Sequence, residues 1–163
     1  MKKALVTGGA GFIGSHLVEE LVKQDFRVTV LDNLKTGNMD NLYNVSTNIN
    51  FVYGDIRDEQ LCEEIVPGND FIFHQAALTS VPNSQKDPLE YFEVNQLGTM
   101  NLLVPAVKNK IKFILASSGS VYGETGSSPY FAHESQILKP ESFYANDKKS
   151  CEQLCYQFAL AYE

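Results

Sequence analysis

Two residues near the end of the chain, Tyr144 and Lys148, could together move a proton. They stand four positions apart on a helical stretch and so project the same way. A phenol is a poor base at neutral pH, and an ammonium within reach stabilises its phenolate form. Such a phenolate could take a proton from a substrate hydroxyl. Ser118, on the loop after an apolar run, could hold that hydroxyl by a hydrogen bond. The same spacing also describes an ordinary helix with a packed tyrosine and a solvated lysine. The pair therefore acquires meaning only from its company.

That company begins at Thr7-Gly8-Gly9-Ala10-Gly11-Phe12-Ile13-Gly14-Ser15-His16. The apolar run Ala4-Leu5-Val6 before it reads as a buried strand. Ile13, Leu17, Val18, Leu21 and Val22 after it are spaced as the apolar face of a helix. Gly9, Gly11 and Gly14 fit G-x-G-x-x-G, and Gly8, Gly11 and Gly14 fit G-x-x-G-x-x-G. Glycines let backbone N–H groups approach a diphosphate, and a helix N-terminus adds a field that favours the anion. A tight turn without a ligand would use the same residues. Asp32 lies 18 residues beyond Gly14, near the distance at which an acid meets the ribose of a dinucleotide. A carboxylate there accepts from ribose hydroxyls and repels a 2′-phosphate, which favours NAD over NADP. Lys35 pulls the other way, and simple turn chemistry would also place an Asp at position 32.

The elements that must position these groups alternate in type. Apolar runs at 4–6, 26–31, 51–53, 70–74 and 110–116 read as five strands. Between them, Asp58 caps a helix over 59–66 that Pro67-Gly68 stops. The stretch 34–50 reads as an Asn-rich loop with a short helix near 39–43, and 78–86 as a polar loop. Asp87-Pro88 opens a long helix to about 109, with Pro105 expected to kink it or reset its last turn. A loop carrying Gly126 and Pro129 leads to a final helix over 142–163, on which Tyr144, Lys148, Cys151, Cys155, Phe158 and Tyr162 share a face. Such alternation predicts an α/β fold with a doubly wound, Rossmann-type parallel sheet in the order 3-2-1-4-5 and helices on both faces. Loops 8–14, 75–79 and 117–120, together with Asp32 and Asp55, all follow strand ends. Five loops converge on one crevice, which argues for a dinucleotide site more strongly than any single motif. Asp55 could accept from the adenine amino group, or it could cap the helix that follows.

Composition sets the bounds. A chain of 163 residues suits one domain, here 1–163, and its 44% hydrophobic content is that of a globular protein. A net charge of −7 without a Lys/Arg cluster disfavours nucleic acid as a partner. Cys62, Cys151 and Cys155 lack zinc spacing, so reduced thiols and no metal are expected. No apolar run approaches a membrane span, and Met1-Lys2-Lys3 leads into a short strand rather than a leader, so a cytoplasmic location is expected.

The ordered set Thr7 to His16 as spelled above, Asp32-Asn33, Gly54-Asp55-Ile56-Arg57, His74-Gln75-Ala76-Ala77, Val94-Asn95, Ser117-Ser118-Gly119-Ser120-Val121-Tyr122-Gly123 and Tyr144-Ala145-Asn146-Asp147-Lys148 resembles the extended short-chain dehydrogenase/reductases. Within them it resembles the sugar-nucleotide epimerases and dehydratases, and through His74-Gln75-Ala76-Ala77-Leu78-Thr79-Ser80-Val81-Pro82-Asn83-Ser84 the UDP-glucose or UDP-N-acetylglucosamine 4-epimerases. The resemblance spans the whole chain. It implies NAD as cofactor, a UDP-sugar as substrate and a homodimer. It implies that Gly8, Gly11, Phe12, Ile13 and Gly14 hold the pyrophosphate. Asp32 and Asn33 would hold the adenosine ribose, with Thr36 and Gly37 nearby, and Asp55 and Ile56 the adenine. Gln75, Ala76, Ala77 and Thr79 would line the nicotinamide half, and Asn95 would support the active-site hydrogen bonds. Ser118, Tyr144 and Lys148 would be the catalytic set. Tyr144 would deprotonate the sugar 4-hydroxyl while C4 is transiently oxidised, and the keto sugar would turn and be reduced on its other face.

Departures narrow the family reading. The dehydratases carry an acidic pair where this chain has Gly119 and Ser120, and the decarboxylases usually carry Glu at the position of Ser120. Both activities are therefore second choices, and a non-catalytic NAD-binding module is a third. Phe143 replaces a usual proline, and Asp147 replaces a usual serine beside Lys148. Family members run well beyond this length. The resemblance thus implies the amino-terminal cofactor-binding part, without the family's carboxyl-terminal substrate domain and unable to epimerise alone.

Overall fold

Residues 1–124 and 132–162 are described by the computed structural model, so the loop positions Gly126 and Pro129, and Glu163 at the end of the expected helix over 142–163, lie outside the described residues. Strand β1 (Lys3–Thr7) occupies the centre of the sheet because Ala4, Leu5 and Val6 are apolar on both faces and are fully buried. It pairs in parallel with β2 (Arg27–Asp32) on one side and with β4 (Phe71–His74) on the other. Strand β3 (Ile49–Tyr53) continues the sheet beyond β2, and β5 (Lys112–Leu115) continues it beyond β4. The order is β3-β2-β1-β4-β5, as the alternation predicts. Register sets Thr7 beside Leu31 and His74, and His74 beside Leu115, so the strands end at one level.

Alternate strand residues feed two cores. Leu5, Leu31 and Ile72 pack with Cys62 of α2 (Glu59–Ile65), with Val66 at its end and with Leu102 and Ala106 of α5 (Gly98–Lys108). Ala4, Val6, Val28 and Val30 pack with Val18 and Leu21 of α1 (Phe12–Lys23), and with Leu42 and Val45 of a 3-10 turn (Met39–Val45). Helix α2 begins where expected, its Asp58 Oδ1 accepting from the Leu61 N–H at 3.0 Å.

The segment between β4 and β5 differs from its sequence reading. The supposed polar loop contains α3 (Val81–Lys86), capped by the Ser80 side chain and opened by Pro82 near its start. Asp87 then caps α4 (Pro88–Phe92) by accepting from the Glu90 N–H. A single long α-helix to residue 109 does not form. Glu93–Leu97 is a π-helical segment, and regular helix resumes as α5. Pro105 lies inside α5, while the departure from α-helical bonding lies upstream of it. The final helix is α6 (Phe143–Tyr162). Of its expected face, Tyr144, Lys148 and Cys151 are buried, Cys155 and Phe158 are half-buried, and Tyr162 is exposed. The three cysteines are free thiols. No described helix is long and apolar enough to cross a membrane.

Candidate dinucleotide site

A cavity of about 340 Å³ opens at the carboxyl ends of the strands. Its floor is the glycine turn. Gly8 has φ +67°, and a Cβ there would fall 2.6 Å from the Ala76 nitrogen. A Cβ on Gly14 would fall 2.2 Å from the Gly8 carbonyl oxygen. These two glycines let β1 turn tightly into α1 against the tip of β4. The Gly11 N–H donates to the Gly8 carbonyl, and the first helical bond runs from the Ser15 N–H to the Gly11 carbonyl. No side chain caps α1. Among the described residues nothing engages the N–H groups of Phe12, Ile13 and Gly14, which all line the cavity. Three free donors at a helix N-terminus fit a diphosphate.

At one end of the cavity lie Asp32, Asn33, Thr36, Asp55 and Ile56. The Asp32 carboxylate is buried and fixed twice over. Its Oδ2 accepts from the Ala10 N–H at 2.9 Å and its Oδ1 from the Leu34 N–H at 2.8 Å. It therefore steadies the glycine turn as well as facing the cavity, and each oxygen keeps a lone pair for a ribose hydroxyl. Asn33 Nδ2 donates to Asp55 Oδ2 at 2.8 Å, and Arg57 grips the same carboxylate through Nε and Nη2. That guanidinium holds the Asp55 carboxyl at about 2, well below the usual carboxylate range. The acid thus stays ionised at any ordinary pH, with both of its oxygens already doubly engaged by Asn33, the Arg57 N–H and the Arg57 guanidinium. Its expected alternative, capping the following helix, belongs to Asp58 instead.

At the other end Tyr144 and Lys148 enter from the first two turns of α6, and Gln75, Ala76, Ala77 and Thr79 follow β4. Lys148 is buried, and its Nζ donates to the Ala116 carbonyl at the tip of β5 at 2.9 Å. Burial pushes its ammonium down from the usual lysine value. Asp147, also buried, accepts from Gln96 Nε2 at 2.7 Å, while its Oδ2 has no hydrogen-bond partner among the described residues. Burial pushes this carboxyl up.

Behind the cavity runs a buried polar chain. The Thr99 hydroxyl donates to the Asn95 carbonyl, so at 2.9 Å it accepts from His74 Nε2–H. His74 Nδ1 is then the acceptor of the Thr7 hydroxyl at 2.7 Å, and Thr7 Oγ1 receives the Ala76 N–H. Full burial pushes the His74 imidazole down to about 3, so it is neutral and this tautomer is fixed by its neighbours. The Cys151 thiol donates to the same Asn95 carbonyl. The chain ties the tips of β1 and β4 to the π-helical segment and α6.

The structure brings most of the anticipated residues to one cavity and sets three elsewhere. Ser118 does not line it. Ser118 caps a 3-10 turn (Gly119–Tyr122), its Oγ meeting the Ser120 hydroxyl at 2.9 Å and N–H at 3.2 Å. Asn95 is buried behind the cavity, where its side chain accepts from the Leu78 N–H and donates to the Leu78 carbonyl. Gly37 packs on the Ala10 backbone. Leu31, Gly54, Val94 and Ala116 line the cavity without having been given a part in it from sequence, whereas Leu78 and Ser117 lie on the loops 75–79 and 117–120 expected there. Ser117 has the same double-serine signal as Ser118, and Val94 precedes Asn95 on the turn that departs from α-helix.

Known proteins share this fold. The family described as GDP-mannose 4,6 dehydratase matches residues 5–163. A UDP-N-acetyl-alpha-D-glucosaminuronate decarboxylase of Bacillus cytotoxicus is 39% identical over 163 residues, covering 98% of this chain and 50% of that protein. The UDP-N-acetylglucosamine 4-epimerase of Methanobrevibacter ruminantium M1, solved with UDP-N-acetylmuramic acid, superposes with a TM-score of 0.92 at 41% identity, over 99% of this chain and 51% of that one. The UDP-glucose 4-epimerase of Thermus thermophilus, solved with NAD, superposes with a TM-score of 0.90 at 40% identity, over 98% and 51%. The chain thus spans about half the length of the relatives it matches.

Proposed function

On the premise that this chain belongs to the GDP-mannose 4,6-dehydratase family, we propose that it forms the NAD-binding part of a sugar-nucleotide epimerase of the UDP-hexose 4-epimerase type. One observation carries the reading. The free N–H groups that open α1 and the Tyr144–Lys148 pair of α6 line a single cavity. The likeness to epimerases solved with NAD and with a UDP-sugar supports the choice of cofactor and substrate class.

The bound cofactor supplies reversible two-electron oxidation at the sugar carbinol. The chain's residues do the rest. Phe12, Ile13 and Gly14 donate to the diphosphate, and Asp32 accepts from the ribose. Tyr144 takes the proton of the sugar 4-hydroxyl and later returns one. Lys148, anchored on the Ala116 carbonyl, holds its Nζ on the same face of α6 one helical turn from Tyr144. Ser118 is the residue assigned to hold the sugar hydroxyl, for which its Oγ has to leave the Ser120 hydroxyl. Asn95 acts by clamping the Leu78 backbone, a wall of the cavity, rather than by touching a ligand.

The test is a panel of UDP-sugars offered to the full-length enzyme, with C4 inversion followed by NMR. Interconversion of UDP-glucose with UDP-galactose, or of their N-acetyl forms, supports the proposal, and its absence across the panel removes it. The similarity to the Bacillus decarboxylase sustains a second reading, in which the same oxidation is followed by loss of CO₂ from a UDP-uronate. Gly119 and Ser120 offer no acid or base for that or for dehydration. The exposed Leu89, Phe92 and Leu97 and the exposed Tyr156 and Leu160 of α6 support a homodimer packed through these helices. Sedimentation of the full-length protein as a monomer at micromolar concentration would exclude it.

A further inference from the structure

The cations at the adenosine end of the cavity are already engaged. Lys35, on the loop after β2, lines the cavity beside Asp32 and Thr36, and its ammonium is paired with the Glu90 carboxylate of α4. Arg57, after β3, holds Asp55 at 2.8 Å and lies 3.7 Å from the Glu93 carboxylate. Glu90 and Glu93 stand three residues apart, so the end of α4 and the turn after it reach across to the loops of β2 and β3. Glu90 is placed for this by Asp87, whose carboxylate accepts its N–H.

Adenine dinucleotides differ in charge at the ribose. One carries a 2′-hydroxyl, the other a 2′-phosphate. An acid after the second strand accepts from the hydroxyl, while a nearby cation accommodates the phosphate. This chain has both, since Asp32 and Lys35 lie three residues apart at one end of one cavity. They favour opposite ligands. Asp32 is buried and pinned by two backbone N–H groups, so its preference is built in. Lys35 is partly exposed on a four-carbon stem and would swing to an incoming phosphate unless something held it. The other lysine on the cavity wall, Lys148, is tied to Ala116 beside Tyr144.

We propose that Glu90 is a specificity-determining residue: by engaging Lys35 from across the cleft it withholds the cation that would otherwise receive a 2′-phosphate. Selection for the unphosphorylated dinucleotide thus has two parts, the acid on the β2 loop and a carboxylate from a separate helix that neutralises its basic neighbour. The inference rests on the dinucleotide reading proposed above.

Titration of the full-length protein with NADH and with NADPH, followed by nicotinamide fluorescence, tests it without turnover. The wild-type protein should bind NADH in preference to NADPH. Glu90→Gln, which keeps the shape and removes the charge, should raise NADPH affinity about fivefold, the scale of one partly exposed charge pair. NADH affinity should change less than about twofold, which also reports that the variant is folded. The gain should shrink with added salt and vanish in the double variant Lys35→Met, Glu90→Gln. Equal gains for both cofactors, no gain for NADPH, or a gain that persists in the double variant would overturn the role of Glu90. A wild-type protein that binds neither would instead overturn the dinucleotide reading, and Glu90 selection with it.

Discussion

Gly14→Ala sets two physical effects against each other. Within a helix, replacing glycine by alanine ordinarily gains up to about 1 kcal/mol. Here the added Cβ would lie 2.2 Å from the Gly8 oxygen and 2.8 Å from the Gly9 Cα. Both neighbours are backbone atoms of a turn that is itself pinned. The Gly11 N–H holds the Gly8 carbonyl, and Asp32 holds the Ala10 N–H. Overpacking costs about 1–3 kcal/mol, and a rigid neighbour puts this case at the upper end. The net destabilisation is then about 2 kcal/mol, or a fall in Tm of about 4–8 °C for a domain of this size. Moving the Gly8 carbonyl also re-aims the N–H groups of Phe12 and Ile13, so NADH affinity should fall with it. Thermal unfolding by circular dichroism and an NADH titration read both effects. Gly119→Ala is the control, since nothing lies within 4 Å of a Cβ there. Its Tm should stay within about 2 °C of wild type. If Gly14→Ala melted at or above the wild-type temperature with cofactor affinity intact, the close approach would not be what this position is for.

Tyr144→Phe should keep the fold and cofactor affinity while C4 inversion falls by at least about a hundredfold; near-normal turnover would remove Tyr144 as the base. His74 is held neutral down to about 3 by full burial, whereas an unfolded histidine gains a proton near 6.5. The unfolded chain therefore binds more protons between those values, and stability falls as pH drops. From pH 7.5 to pH 5 the loss is about 2 kcal/mol. Chemical denaturation at several pH values should show it, and His74→Gln should flatten that limb even though it weakens the fold at neutral pH. Asp147 works in the opposite sense. Its carboxyl is raised, so its contribution is complete below the ordinary Asp value and is lost as pH rises through the folded value. Asp147→Asn, which keeps an acceptor for Gln96, should gain on wild type in Tm as pH increases, and a constant difference would refute the buried-charge account.

The sheet was legible because burial on both faces leaves continuous apolar runs, and because each run is followed by small or polar residues that must turn. Asp58 was legible as a cap for the same local reason, since its bond to Leu61 spans only three residues. Helix α3 was hidden by its polar composition, although Ser80 followed by Pro82 is a start signal in hindsight. Asp32 was legible by spacing, but its service to Ala10 and Leu34 was not, because a carboxylate's second partner depends on where the turn brings a backbone N–H. Ser118 and Asn95 show the same limit. Sequence identifies a polar side chain near the site, while the Ser120 hydroxyl and the Leu78 backbone decide which way it faces. The Lys35–Glu90 pair joins positions 55 residues apart and has no local signature.

The wide turn at Glu93–Leu97 spends more residues on one revolution than the helices it joins. Each helical residue advances about 100° around the axis. Excising one residue there, such as Gln96, would restore uniform winding and leave the flanking turns close to their present angular phase, because the wide turn uses one residue more for the same revolution. Thr99 would still face His74, and Leu102 would stay in the core beside Leu5. What would go is the Gln96 bond to Asp147 of α6 and the local spacing that lets Asn95 reach Leu78 with its side chain and Thr99 and Cys151 with its carbonyl. The surplus residue is in effect a splice that adds polar reach towards the cleft and α6 without twisting one half of the rod against the other, and a shortened rod should prove the less stable of the two.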